Sequence, residues 1–195
     1  MKLKHLFASL FIAMAAFAMP VQAAENYNFD IKGQHAFIQF KIKHLGYSWL
    51  LGSFKTFDGS FIYNAQQPEK NSVTVSIDIA SLDTNHALRN KHLRSDDFFD
   101  AAKYPTASFK SNSYKVTGKD TGILHGTLNL HGINKEIDIQ LSQIGTGKDP
   151  WGGYRRGFEG HATLHLSDYK MKKAAMLGPV AENIELFLSI EGIRQ

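Results

Sequence analysis

Eight short runs in this chain alternate apolar and polar residues one by one, and that two-residue period leaves few folds open. Successive side chains of a strand point to opposite faces, so each run makes a ribbon with one oily and one wet side. Ala36, Ile38, Phe40 and Ile42 share a face in the first run; Phe57, Gly59, Phe61 and Tyr63 do so in the second. Val73, Val75, Ile77 and Ile79 make the third, and Ala107, Phe109 and Ser111 the fourth. Leu124 to Leu130, Ile137 to Leu141, Phe158 to Leu166 and Ile184 to Ile190 complete the set, each at alternate positions. Short-turned antiparallel ribbons of this kind favour closure into a barrel, because closure removes both exposed edges. The expected fold is therefore all-β, an eight-stranded antiparallel barrel, whose interior is just wide enough to be filled or to hold one small ligand.

One segment breaks the period. DTNHALRNKHLRSDDFFDAAKYPTASFKS, Asp83 to Ser111, carries helical patterning near residues 85–101. Asp83 or Thr84 is placed to cap a helix from Asn85 to Leu93, and Ser95 to cap a second turn from Asp96 to Asp100, with acids where the helix dipole favours them. Pro105 ends the segment, since proline cannot continue a helix. A single helical insertion between strands is expected at a mouth or edge of the barrel.

Residues 1–23 read as a secretory signal peptide, with cleavage after Ala23. Lys2 and Lys4 precede an apolar run from Leu6 to Met19, too short to span a bilayer comfortably, and Val21-Gln22-Ala23 follows with small residues at the cleavage positions. The expected location is the periplasm, and residues 24–195 are expected to form one domain. The chain has no Cys, so neither a lipid-anchoring Cys nor a disulfide is available. The formal net charge is +4. It falls to about +2 without the leader lysines, and no basic run interleaves with aromatics, so no nucleic-acid partner is expected.

The same alternation would also suit an outer-membrane barrel, with its oily face turned to lipid. The inward orientation is favoured here. The C-terminus, Gly192-Ile193-Arg194-Gln195, lacks a terminal aromatic, no aromatic girdle repeats along the strands, and Gly59, Gly126 and Gly160 sit on the apolar parity. Those glycines, with Ala36, Ala107 and Ala162 on the same face, mark either local bends or gaps that open a cavity. Parity and size select Ile38, Phe40, Ile42, Phe57, Phe61, Val75, Ile77, Phe109, Leu128, Leu164, Leu186 and Leu188 as cavity-lining, ligand-binding residues.

Catalytic and metal signatures are missing. There is no GxSxG, GxGxxG or P-loop, and no catalytic residue, cofactor or metal site is assigned. His125, His131, His161 and His165 fall on polar parities without a ligand spacing and are expected to face water. Trp151, in the turn-rich Asp149-Pro150-Trp151-Gly152-Gly153, is expected to anchor its loop on the barrel end. Arg89, His92 and Arg94, with His86, form either a solvated helix face paired with Asp96, Asp97 and Asp100 or a basic rim that meets a lipid headgroup.

Three stretches resemble the YceI family of periplasmic polyisoprenoid-binding proteins: HLGYSWLLGSFKTFDGSF (His44 to Phe61), the Asp83–Ser111 segment, and DPWGGYRRGFEG (Asp149 to Gly160). Asn90 departs from the acid expected after Arg89. The resemblance implies a lipocalin-like barrel with a deep apolar tunnel and a soluble periplasmic carrier of long isoprenoid lipids, of polyprenyl or quinone type. Such a role is compatible with transient membrane contact and with a homodimer. The alternative is an enzyme acting on an isoprenoid or quinone in the barrel with His92 or Arg89 assisting. A packed, ligand-free interaction module is a third reading.

Overall fold

The computed structural model describes residues 24–195; the expected signal peptide, residues 1–23, lies outside the described residues. Eleven strands build eight staves. β1 (Glu25–Phe29) and β2 (Ala36–His44) are one stave interrupted at residues 30–35, and β3 (Ser48–Phe54) and β4 (Phe57–Tyr63) are the next, broken at Lys55 and Thr56. β5 (Ser72–Asp78) continues into the two-residue β6 (Leu82–Asp83). Then come β7 (Thr106–Val116), β8 (Thr121–Leu130), β9 (Ile133–Lys148), β10 (Tyr154–His165) and β11 (Asn183–Arg194). Each stave pairs antiparallel with the next, and β11 returns to β1 and β2, closing an up-and-down barrel.

The eight alternating runs correspond one to one with these staves. The oily faces turn inward: in β8, Gly122, Leu124, Gly126, Leu128 and Leu130 are buried, while Ile123, His125, Thr127 and Asn129 are only half-buried. β1, β3 and β6 were not legible as runs, and they lengthen three staves without changing the count.

The antiparallel order sorts the connections. The turn at 45–47, the insertion at 84–105, the hairpin at 131–132 and the segment 166–182 gather at one end. There the interior is packed solid. Ile79, Leu82, Phe98, Leu166, Tyr169, Met171 and Ala181 are all buried. The two long connections are also tied together: Lys173 N–H donates to Asp97 O at 2.8 Å, and Lys172 Nζ lies 2.5 Å from Asp96 Oδ2.

The helix is shorter and later than expected. α1 spans Ala87–Arg94, and His86 caps it, Nδ1 accepting from Arg89 N–H at 3.1 Å. Asp83 serves one turn earlier, its Oδ1 accepting from Asn85 N–H at 3.0 Å. The second helical turn does not form as a helix. Phe98 and Asp100 N–H both donate to Ser95 O, and Asp100 takes a left-handed φ of 45° that stops propagation. Asn90 explains its own departure from the family pattern. It is buried, its Oδ1 accepts from Thr84 N–H (2.8 Å) and Oγ1 (2.6 Å), and its Nδ2 donates to Asp83 Oδ1 (2.9 Å). An ionised carboxylate there could not donate to Asp83.

The ring is locked at its seam by an ion cluster. Asp30, in the break between β1 and β2, has a side chain only 3% exposed. It accepts from Gly33 N–H (2.8 Å) and Arg155 (2.5 Å) and pairs with His35 Nδ1 (2.7 Å). Arg155 also reaches Asp149 (2.6 Å) and Glu191, so one guanidinium joins β1, β10, the 149–153 loop and β11. Asp30, His35 and Glu191 could group around a cation, but Arg155 already bonds both carboxylates.

Burial would raise the Asp30 pKa, but hydrogen bonds from His35, Arg155 and Gly33 outweigh it and hold it at about 2, below the ordinary 3.8. A depressed carboxylate stabilises the fold above its unfolded-state pKa, and that stability is lost as pH falls through the folded value. The contribution is on the order of 2 kcal/mol. The wild type should therefore lose stability between about pH 4 and pH 2. Asp30→Asn should be less stable at neutral pH, with the gap narrowing over that window. Urea unfolding at stepped pH checks this; a gap independent of pH would contradict it.

Candidate ligand-binding site

The other end of the barrel is hollow, and the reason is visible in the sheet. β5 pairs with β7 only from Thr74–Lys110 inward, and β7 carries a bulge between Ser111 and Ser113. The bulge lies in the β7–β8 ladder, where it bends β7 and increases its local twist, and the β5–β7 ladder ends beside it. Val73 N–H has no ladder partner on β7 and donates instead to Ser111 Oγ at 2.8 Å. The segment 64–71 rounds the resulting opening. It is held by Asn64 Oδ1, which accepts from Gln66 and Gln67 N–H, and by Asn71 Oδ1, which accepts from Asn64 N–H.

Behind this mouth lies a cavity of about 130 Å³, or about 1020 Å³ of atom-free space with the open mouth counted. The smaller figure is close to an engineered apolar cavity of about 150 Å³ that stays dry and binds benzene. The lining runs from Ile77 and Leu128 at the inner end to Tyr63, Asn71, Ser72 and Tyr114 at the open end. Those last four are the only lining residues with polar side chains. A second pocket of about 330 Å³ sits in the wall near Gln140 and His161, where β9 and β10 cease to pair, but Asp138, Thr163 and Glu185 give it polar walls. The apolar cavity is the better site for a ligand without charge.

Eight of the twelve residues selected by parity line this cavity: Ile38, Phe61, Val75, Ile77, Phe109, Leu128, Leu186 and Leu188. Phe40, Ile42, Phe57 and Leu164 do not. Phe57 and Leu164 are buried in the packed end. Phe40 lies across its register partner Gly52, tilted 5.9 Å from Phe54, which in turn meets the edge of Phe99 from the insertion. Ile42 lies beside them, between Leu50 and Ile184.

The glycine argument holds at one position of three. Gly160 lines the cavity. A Cβ at Gly59 would strike the Phe29 ring at 2.5 Å, and one at Gly126 would meet the Phe109 ring and Lys110 O at 2.5 Å. Those two glycines accommodate neighbours and do not open space.

Lining residues that size and parity passed over include Leu124, Ile137, Ile139, Leu141, Phe158 and Ile190. All six sit on the inward parity, so only the choice among them was missed. Phe29 lies in β1, which no run revealed. Tyr114 follows the bulge, which reverses the parity counted from Ala107 and Phe109.

The basic cluster is elsewhere. Arg89 Nε donates to Thr84 Oγ1 at 2.8 Å and its NH2 to Thr84 O at 2.6 Å. His92 pairs with Asp97 at 2.9 Å, and Arg94 donates to Ala80 O at 2.8 Å. All three belong to the connection at the packed end, and none lines the cavity. Two further expectations need correction. His131 is half-buried, Nδ1 bonding Tyr169 O at 2.8 Å and its ring 4.6 Å from Tyr104, because it takes a turn conformation with φ 53°. Trp151 does not pack on the barrel end but stands 78% exposed.

At the open end the interior carries a buried cation. Arg156, 7% exposed, lies 3.5 Å from the centre of the Tyr63 ring. It donates to Gln143 Oε1 at 2.7 Å and, at 3.4 Å, to Tyr27 Oη and Glu25 Oε2. Tyr27 Oη donates in turn to Glu25 Oε2 at 2.7 Å.

A closed antiparallel barrel with one wet mouth and an apolar interior is a binding barrel. Among the described residues, those lining the cavity include no nucleophile–base pair. Residues 29–192 match the model of the YceI-like domain. A UPF0312 protein of Ectopseudomonas mendocina is 52% identical over 193 residues, covering 99% of this chain and all of the relative. A Campylobacter jejuni YceI crystal structure superposes with a TM-score of 0.70 at 30% identity, over 80% of this chain and 91% of that one. A polyisoprenoid binding domain from Saccharophagus degradans, implicated in plant cell wall breakdown, has a TM-score of 0.64 at 18% identity, over 87% and 98%. The chain belongs to the YceI-like family.

The division into a packed and a hollow half is measurable. Leu164→Ala, in the packed half, should cost about 3–5 kcal/mol, as it opens a new void. Leu188→Ala, beside space already empty, should cost about 2 kcal/mol or less. Urea unfolding of delipidated protein checks both; equal costs would contradict the division.

Proposed function

We propose that this protein binds and carries an isoprenoid-type lipid, of polyprenyl or quinone class, by enclosing its apolar chain in the barrel cavity. The observation that carries the reading is the cavity itself: a space open at one end whose every non-mouth lining residue is apolar or glycine. The likeness in fold to a polyisoprenoid binding domain supports it. We propose further that the ligand-binding residues are the eight parity-selected residues on the cavity wall, and that the protein acts in the periplasm after removal of residues 1–23.

The energetics suit such a ligand. Each buried methylene-sized group is worth about 0.8 kcal/mol, so one five-carbon unit contributes about 4 kcal/mol. About three buried units, less ordering costs of at least about 4 kcal/mol, reach micromolar affinity, and since the cavity at rest holds about one unit, wall side chains must move to admit the others. No polar network is required, and carriage proceeds by equilibrium binding alone. Along β8, Leu124 to Leu128 spans roughly 13 Å. A short isoprenoid segment fits within that length, and a longer tail must move wall side chains or project through the mouth.

Protein purified natively and extracted into organic solvent should release a stoichiometric isoprenoid lipid by mass spectrometry, and the stripped protein should take up an isoprenoid hydrocarbon. Absence of both contradicts the reading. A co-purifying water-soluble metabolite with turnover would favour an enzyme instead.

A further inference from the structure

Two hydroxyls stand at the mouth with no hydrogen-bond partner among the described residues. Tyr63 and Tyr114 both line the open end of the cavity. Among the described residues no buried side-chain polar atom lacks a partner, and neither phenolic oxygen makes a hydrogen bond to a protein group, so both must reach open space. The fold builds room for one of them: Gly122 has no side chain, and a Cβ there would collide with the Tyr114 hydroxyl. The other is held from behind, since the Tyr63 ring lies flush on the buried Arg156 guanidinium. A cation over the ring face draws on its π electrons and makes the phenol a better hydrogen-bond donor.

We propose that Tyr63 and Tyr114 form a headgroup subsite that donates hydrogen bonds to an uncharged carbonyl-type oxygen at the end of the bound lipid. This rests on the lipid-carrier reading and adds the chemistry of the head. Burial, and then the neighbouring Tyr63, push the Tyr114 hydroxyl above its usual pKa, so it stays protonated and able to donate. An anionic head is disfavoured. Arg156 directs three of its five donors to Gln143, Tyr27 and Glu25, and the Glu25 carboxylate beside it adds negative charge. A plain hydrocarbon would leave both hydroxyls facing the ligand unpaired where water had solvated them, at a cost of about one hydrogen bond each.

Three probes with the same fifteen-carbon isoprenoid chain separate the cases: farnesylacetone with a ketone, farnesene with no head, and farnesyl phosphate with an anionic one. Affinities are read by displacement of a fluorescent apolar probe from delipidated protein. The wild type should bind the ketone about tenfold more tightly than the hydrocarbon. Tyr63→Phe and Tyr114→Phe should each remove part of that preference and the double variant nearly all of it, chiefly because the hydrocarbon binds more tightly once no hydroxyl is left unpaired against it. These changes delete only unbonded oxygens, and an unaltered urea midpoint shows that the barrel is intact. Equal wild-type affinity for ketone and hydrocarbon, a preference that survives the double variant, or tightest binding of the phosphate overturns the subsite while leaving lipid carriage standing. Binding of none of the three overturns both.

Discussion

Closing eight half-oily ribbons into a ring forces every second residue of the sheet into one narrow space. That constraint governs everything else in the molecule. The inward residues must fill the space or leave it empty and dry, because backbone groups are already satisfied by the ladder and offer water no foothold. Here the chain does both. At one end the inward side chains meet two long connections, and Phe98, Tyr169 and Met171 complete a solid core. At the other the β5–β7 ladder stops at Thr74 and Lys110, β7 is bulged in its pairing with β8, and the interior stays open. That asymmetry leaves an apolar cavity at one end of the barrel and a side-chain core at the other.

The polar groups are placed to leave the cavity apolar. The buried charges at the seam are paired within the protein, Asp30 with Arg155 and Arg156 with Glu25. Within the insertion Arg89 bonds Thr84, and Arg94 reaches Ala80 O just outside it. What remains at the mouth is a pair of aromatic rings with free hydroxyls, amphipathic groups suited to a boundary between oil and water.

Much of this was legible in the residues. The period of two gave the staves, their number and their inward face, because one-sided burial leaves the same signature in any closed sheet. The eight cavity residues that parity and size selected are those where the period runs undisturbed, such as Ile77, Leu128 and Leu188. The misses have physical causes. Phe40, Phe57 and Leu164 face inward as read, but parity says nothing about position along the axis, and the plug occupies their end. Tyr114 was hidden because a bulge adds a residue that no pattern announces. Gly59 and Gly126 looked like gaps, whereas a glycine opposite an aromatic is filled by that aromatic. The helix cap fell on His86 and not on Asp83 or Thr84, because Asn90 draws both into a side-chain clip that sequence spacing does not reveal.

The central claim is that one half of this barrel is an empty, dry, apolar chamber. Diffraction from crystals of delipidated protein under xenon pressure tests it most directly, because xenon enters dry apolar cavities and shuns packed cores. The account predicts xenon density bounded by Phe109, Leu128, Ile139 and Leu188, and none between Phe57 and Leu164. A chamber without xenon, or one holding ordered water, would contradict it.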